Sequence, residues 1–263
     1  ERSAKTIALT PEIRTLFGIT AETLAPNALI SAMLKAEVDL LWFGGIGTYI
    51  KASTESHGDA GDRANDSLRV DGKSLRCKVV GEGANLGVTQ RGRIEFARNG
   101  GRVNSDAVDN SAGVDCSDHE VNIKILLDDI VARGDMTEKQ RNDQLAAMTD
   151  EVGALCLADN YAQGQAITVI ESQANRLLDR HQRLMRSLER AEILDRSIEF
   201  LPDDETIDTL HTSQQGLTRP EISVLLAYAK NATYEALLHS DLPDDPLLVK
   251  DLQRYFPQPL RDG

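Results

Sequence analysis

The sequence predicts an α/β part, a partial doubly wound sheet, followed by an all-α helical part. Three observations carry this. Val38 to Phe43 is an unbroken apolar run that feeds directly into Gly44-Gly45-Ile46-Gly47. A run that short and continuous reads as a strand buried on both faces. Two later strand-like segments also end in loops rich in glycine and asparagine, Gly81 to Asn85 and Asp106 to Gly113. Beyond Ser117 the pattern changes, and Ile123, Leu126, Leu127 and Ile130 recur at helical spacing.

The elements follow in order. Thr10-Pro11-Glu12 places a capping residue before a proline in the first turn, a helix start. Pro26 opens a second helix over residues 27–36. After the first strand, residues 53–66 are polar and loop-like. Leu68 to Val80 reads as strand, turn, strand, with Asp71-Gly72 as a hairpin turn. Thr89 to Arg98 reads as a helix, and a short strand surrounds Val103. Ser117 with Glu120, Thr137 with Gln140 and Thr218 with Glu221 have the spacing of capping boxes. Ile167, Ile170, Ala174, Leu177, His181, Leu184 and Leu188 alternate three and four apart, which predicts one continuous helix with a narrow apolar seam. The division expected from composition is residues 1–130 for the α/β part and 131–263 for the helices.

Bulk properties limit the function. The 263 residues carry a net charge of -13, which repels nucleic acid and anionic membrane alike. Aromatics at 4% are too few for a base-stacking surface. No apolar run approaches the ~20 residues of a membrane helix. Cys77, Cys116 and Cys156 are odd in number and widely spaced, so neither a disulfide framework nor a zinc knuckle is indicated. A reducing, cytoplasmic setting is expected. Glu1 without a preceding Met or apolar leader is taken as an internal boundary of a longer polypeptide.

The loops are the candidate site. In doubly wound, Rossmann-like sheets, ligands sit outside the carboxyl ends of the strands. Asn85 and Asn110 each offer two donors and an acceptor there. Glycine and asparagine also form ordinary turns, and only the recurrence of three such loops favours a site. Gly45-Ile46-Gly47 does not complete a phosphate-binding fingerprint, because Ile50 stands where its third glycine belongs. Cys116 and His119 flank a predicted helix start, where a thiol can be activated, but a structural role is expected for both. His57, Asp59, Asp62 and Asp66 form an acidic loop that a metal-dependent hydrolase could use; a solvated loop is the plainer reading. His181, on the seam, is expected in a core or interface. A helical regulatory or structural module, its loops no more than turns, is the other alternative.

Lys78-Val79-Val80-Gly81-Glu82-Gly83-Ala84-Asn85, with Thr89 beyond, resembles the glutamate dehydrogenase superfamily. So does Asp106-Ala107-Val108-Asp109-Asn110-Ser111-Ala112-Gly113-Val114, followed by Ser117 and Glu120. The stretches LLWFGGIGTYIKAS, GDRANDSLRV, NSAGVDCSDHEVNIKILLD and LTRPEISVLLAYAK resemble the large bacterial NAD-specific glutamate dehydrogenases. The resemblance implies that Asn85 lies near the nicotinamide ribose of NAD and Asn110 near its carboxamide. It implies that Ser117 helps hold the side-chain carboxylate of L-glutamate or 2-oxoglutarate, and that Gly44 and Gly45 pass the adenosine side. Gly87, Ser111 and Ala112 depart from the proline, alanine and glycine of the smaller enzymes. The catalytic lysine and aspartate and the pyrophosphate glycines of the family have no counterpart motif here. They are expected in the missing amino-terminal region, which leaves the chain inactive alone. A homo-oligomer is also expected.

Overall fold

The computed structural model describes residues 3–261. By packing, the chain falls into two compact units: Glu1–Asn110 with Ile167–Leu226, and Ser111–Ala166 with Ala227–Gly263. This partition follows contacts, whereas the sequence reading at residue 130 follows composition.

The first unit is α/β. A two-residue antiparallel ribbon, β1 (Ile7–Ala8) with β2 (Thr23–Leu24), encloses α1 (Pro11–Phe17). Thr10 caps α1 by accepting from the Ile13 amide, and Gly18 ends it at φ +66°, a left-handed value that favours glycine. Then come α2 (Pro26–Leu34), β3 (Leu40–Phe43), β4 (Ile50–Lys51), β5 (Val70–Asp71) and β6 (Val79–Glu82). Strands β3 and β6 pair in parallel from Leu40↔Val79 to Phe43↔Glu82, and a parallel bridge joins Val79 to Arg102. Strands β4 and β5 also pair in parallel, and Ile50 bridges to Val88.

This pairing corrects the hairpin expected over Leu68 to Val80. Its two arms do not pair with each other. β5 lies against β4 and β6 against β3, and Asp71-Gly72 enters a single 3-10 turn, Gly72–Ser74. A side chain at Gly72 would meet the Gly92 carbonyl oxygen at 2.7 Å, so the glycine serves close packing on the following helix. That helix is α3 (Gln90–Arg98), within the expected Thr89 to Arg98, and Thr89 proves to be its cap, accepting from the Gly92 amide.

Leu34, Phe43, Ile50, Leu68, Val70, Cys77, Val80, Val88, Phe96 and Val103 form the core of this unit. β3 is not buried on both faces as expected. Phe43 is buried, but Leu40 and Trp42 are 53% and 57% exposed. The Trp42 ring lies across the neighbouring strand instead. A Cβ at Gly81 or Gly83 would come within 2.7 Å or 2.3 Å of it, so only glycine fits beneath.

The helices are α4 (Asp106–Asp109), α5 (Ser111–Arg133), α6 (Glu138–Ala147), α7 (Thr149–Glu171), α8 (Ala174–Arg190), α9 (Asp204–Thr212), α10 (Arg219–Leu238) and α11 (Val249–Tyr255). Thr137 and Gln140 form a reciprocal capping box on α6. Thr218 donates both its amide and its hydroxyl to Glu221 at the start of α10. Two helical expectations are corrected. The seam from Ile167 to Leu188 is broken between Glu171 and Ala174, where the Gly216 backbone packs so closely that a Cβ would reach Ala174 at 2.3–2.6 Å. Past the break the buried stripe is Ala174, Leu178, His181, Met185 and Leu188, with Leu177 only half-buried. Ser117 is not a cap. It lies inside α5, which begins at Ser111, and its hydroxyl donates to the Gly113 carbonyl at 3.1 Å. No helix among the described residues is long and apolar enough to cross a membrane.

Candidate functional site at the carboxyl edge of the parallel strands

Parallel pairing brings strand ends together. β3 and β6 stop side by side at Phe43 and Glu82, and the chain beyond Arg102 runs beside them into α4. The first two expected loops therefore emerge at one edge. The third is helical, because Ser105 caps α4 by accepting from the Val108 amide and Asn110 closes it. Gly44 and Gly45 are exposed, and a Cβ at Gly45 would meet nothing within 4 Å. Backbone freedom there is not demanded by packing inside the chain. Asn85 is exposed and Asn110 half-buried, and the Asn110 amide nitrogen donates to the Asn85 side-chain oxygen. One hydrogen bond leaves each carboxamide with further donor and acceptor capacity.

Beneath these asparagines lies a network that sequence reasoning missed. Glu82 is fully buried, and its carboxylate accepts from Arg93 Nε at 2.6 Å, Arg93 Nη2 at 2.9 Å and the Val88 amide at 3.0 Å. Asp106 takes the Leu86 amide at 2.8 Å and lies 3.3 Å from Arg93 Nη2. Asp109 takes the Glu82 amide at 2.9 Å and the Asn104 side-chain amide at 2.6 Å. The loop from Gly83 to Val88 is thus tied at Glu82, Leu86 and Val88. This tie holds Leu86 at φ +63°, a left-handed conformation unusual for leucine. Burial alone would lower the Arg93 pKa, but hydrogen bonds and charge from Glu82, with the charge of Asp106, carry it above its ordinary value. Burial raises the Asp109 carboxyl, against the opposing Asn104 hydrogen bond. A carboxylate at the end of a buried strand was the available signal, since it requires a cation on the inward face of the next helix. Gly92, Arg93 and Phe96 are the buried residues of α3.

The remaining candidates are elsewhere. Ser117 is exposed on α5 in the second unit. The acidic loop does not gather around a common point. Asp59 accepts from Ser56, Asp62 from Thr48 and Asn65, Asp66 pairs with Arg69 at 2.7 Å, and His57 Nδ1 lies 3.0 Å from Arg69. These contacts shape the loop and give the hydrolase alternative no ligand set. Among the described residues, the one group at metal-ligand separation is Asp115, His119 and Cys156, in the second unit.

Residues 1–170 match the family described as bacterial NAD-glutamate dehydrogenase, catalytic domain. The chain belongs to this bacterial NAD-glutamate dehydrogenase family. Residues 214–263 also match the family described as glutamate dehydrogenase, C-terminal. The chain is 57% identical over 256 residues to the NAD-specific glutamate dehydrogenase of Pseudomonas aeruginosa. It is 53% identical over 261 residues to that of Halomonas elongata, and 46% over 267 to that of Mycobacterium tuberculosis. These alignments cover 97%, 99% and 99% of this chain, yet the chain spans only 16% of each relative's length. The strand edge, both asparagines and Ser117 all fall within the catalytic-domain match. The family resemblance read from the motif blocks is borne out.

Proposed function

We propose that this chain contributes the nicotinamide end of the cofactor site, and one side of the substrate site, to an enzyme that oxidatively deaminates L-glutamate with NAD. The observation that carries the reading is the Asn85–Asn110 contact at the carboxyl edge of parallel strands, in a chain of this family. We read β3, β6 and the Arg102 bridge as the second half of a Rossmann-like sheet, its pyrophosphate turn supplied by sequence outside this chain. The residues fit the cofactor by their chemistry: two mutually oriented carboxamides can meet a nicotinamide carboxamide and ribose hydroxyls.

Held by Asn85 and Asn110, NAD would supply the acceptor for the α-carbon hydride of glutamate, and hydrolysis of the oxidised substrate would give 2-oxoglutarate and ammonia. The work of this chain is positional. Asn110 fixes the rotation of the ring carboxamide, and Asn85 fixes Asn110 and the ribose. The Glu82–Arg93–Asp106–Asp109 network holds the loop that carries Asn85, so orientation is set before binding. Gly44 and Gly45 leave backbone open toward the adenosine side. Ser117 donates to the substrate's side-chain carboxylate by rotating its hydroxyl away from the Gly113 carbonyl. The proton-transferring groups lie outside this chain.

The test is Asn110→Ala in the full-length enzyme. It should lower kcat/KM for NAD by about 10- to 100-fold, the scale on which misplacement acts, with the melting temperature unchanged. Parent-like kinetics would remove Asn110 from the cofactor site.

A further inference from the structure

His119 is 1% exposed, and neither of its ring nitrogens has a hydrogen-bond partner among the described residues. Asp115 Oδ2 is likewise buried and unpartnered. A buried imidazole with both nitrogens unmatched is unfavourable, and native interiors avoid it unless a ligand completes it. The ring cannot easily turn away. Tyr255 stacks on it with ring centres 4.5 Å apart, and the Tyr255 hydroxyl is fixed by donating to Asp118 at 2.6 Å and accepting from Asn122 at 2.9 Å.

What the ring edge meets is a set of metal donors. Asp115 and His119 stand one turn apart on α5, with Asp115 Oδ1 at 3.9 Å from His119 Nε2. The buried Cys156 arrives from α7, and one donor atom from each of the three side chains lies within 4.8 Å of the others. Ligands around tetrahedral zinc sit about 3.5 Å apart, since metal–ligand bonds run from about 2.0 to 2.3 Å. Small side-chain rotations therefore close the set. Asp159, 4.0 Å from His119 Nε2, stands beside it with an exposed carboxylate, and Cys116 also neighbours the Cys156 thiol.

We propose that Asp115, His119 and Cys156 form a binding site for a zinc-class transition-metal ion that links α5 to α7. A thiolate, an imidazole and a carboxylate select such an ion over calcium or magnesium, which prefer all-oxygen cages. Binding releases the Cys156 thiol proton to solvent and leaves a fourth position for water or a neighbouring side chain. The ion satisfies the His119 ring and the free Asp115 oxygen together.

The test uses the full-length enzyme, reduced and stripped with a chelator, then dialysed against Zn²⁺ alone or Co²⁺ alone. The parent should take up one more equivalent of Zn²⁺ than Cys156→Ser. With Co²⁺ it should show a thiolate-to-metal charge-transfer band that Cys156→Ser loses and Cys77→Ser keeps. Asp115→Asn, which preserves shape, should weaken uptake by at least about 10- to 100-fold. Equal zinc uptake by parent and Cys156→Ser, or a charge-transfer band that survives Cys156→Ser, overturns the proposal. If Cys156→Ser does not fold, parent-like affinity in Asp115→Asn overturns it instead.

Discussion

Glu82 and His119 are buried to nearly the same depth, in different units, and differ in one respect. Glu82 is fully buried and has an arginine fork and a backbone amide on its carboxylate. His119 is 1% exposed and has no hydrogen bond on either nitrogen. Burial alone therefore does not separate a structural polar group from one that serves a ligand. What separates these two is the completeness of their hydrogen bonding. The network around Glu82 is closed and acts as a frame for the loop that carries Asn85, whose side chain accepts from Asn110. The cluster around His119 is open and needs one more participant.

The largest effect is expected from Arg93→Ala, which leaves the buried Glu82 carboxyl without its cation, where burial already raises its pKa. It should cost about 3–5 kcal/mol in chemical denaturation. Replacing both partners with methionine should recover most of that loss, because a well-packed apolar pair needs no charge compensation. Near-parent stability for Arg93→Ala alone would show that the network is not closed. A smaller effect sharpens the other side. His119→Phe keeps a ring against Tyr255 and deletes both unmatched nitrogens. In metal-free protein it should be neutral or stabilising by about 1 kcal/mol. A clear loss of stability there would mean that the imidazole already has partners.

The smallest effect concerns a third buried group. His181 on α8 is 9% exposed with Nδ1 unpartnered, and burial holds its pKa below the ordinary 6.5. The unfolded chain takes up this proton first as pH falls. His181 thus supports stability fully above pH 6.5 and loses that support as pH drops from there toward its folded value. The slope is at most about 1.4 kcal/mol per pH unit. His181→Leu should flatten stability over this range in thermal melts at stepped pH. An unchanged slope would assign it to other groups.

Local chemistry was legible in the sequence and long-range pairing was not. Thr10 and Thr137 announced their helices because a cap acts within three residues. Asp71-Gly72 misled because a turn signal is local, whereas the partner of β6 lies about 40 residues upstream in β3. The seam through Ile167 lost register at Ser172-Gln173, since periodicity cannot register a break set by the approach of Gly216. The meeting of Asn85 and Asn110 at one strand edge was legible from the loops that carry them, whereas their roles toward a ligand rest on the family resemblance alone. Glu82 at a strand end signalled the need for a cation, but not that Arg93, eleven positions on, supplies it, because only the packing of α3 on the sheet aligns the two. Cys156 escaped for the same reason, as its partners Asp115 and His119 belong to another helix.

On the proposed function, Asn85 and Asn110 act as one unit on the nicotinamide end of NAD. A double-mutant cycle in the full-length enzyme tests it most directly, with Asn85→Ala, Asn110→Ala and the pair measured by kcat/KM for NAD. Residues that share a hydrogen bond and a ligand should be coupled by about 0.5–3 kcal/mol, so the double variant should be barely worse than the poorer single variant. Additive losses, or no loss in either single variant, would contradict the account.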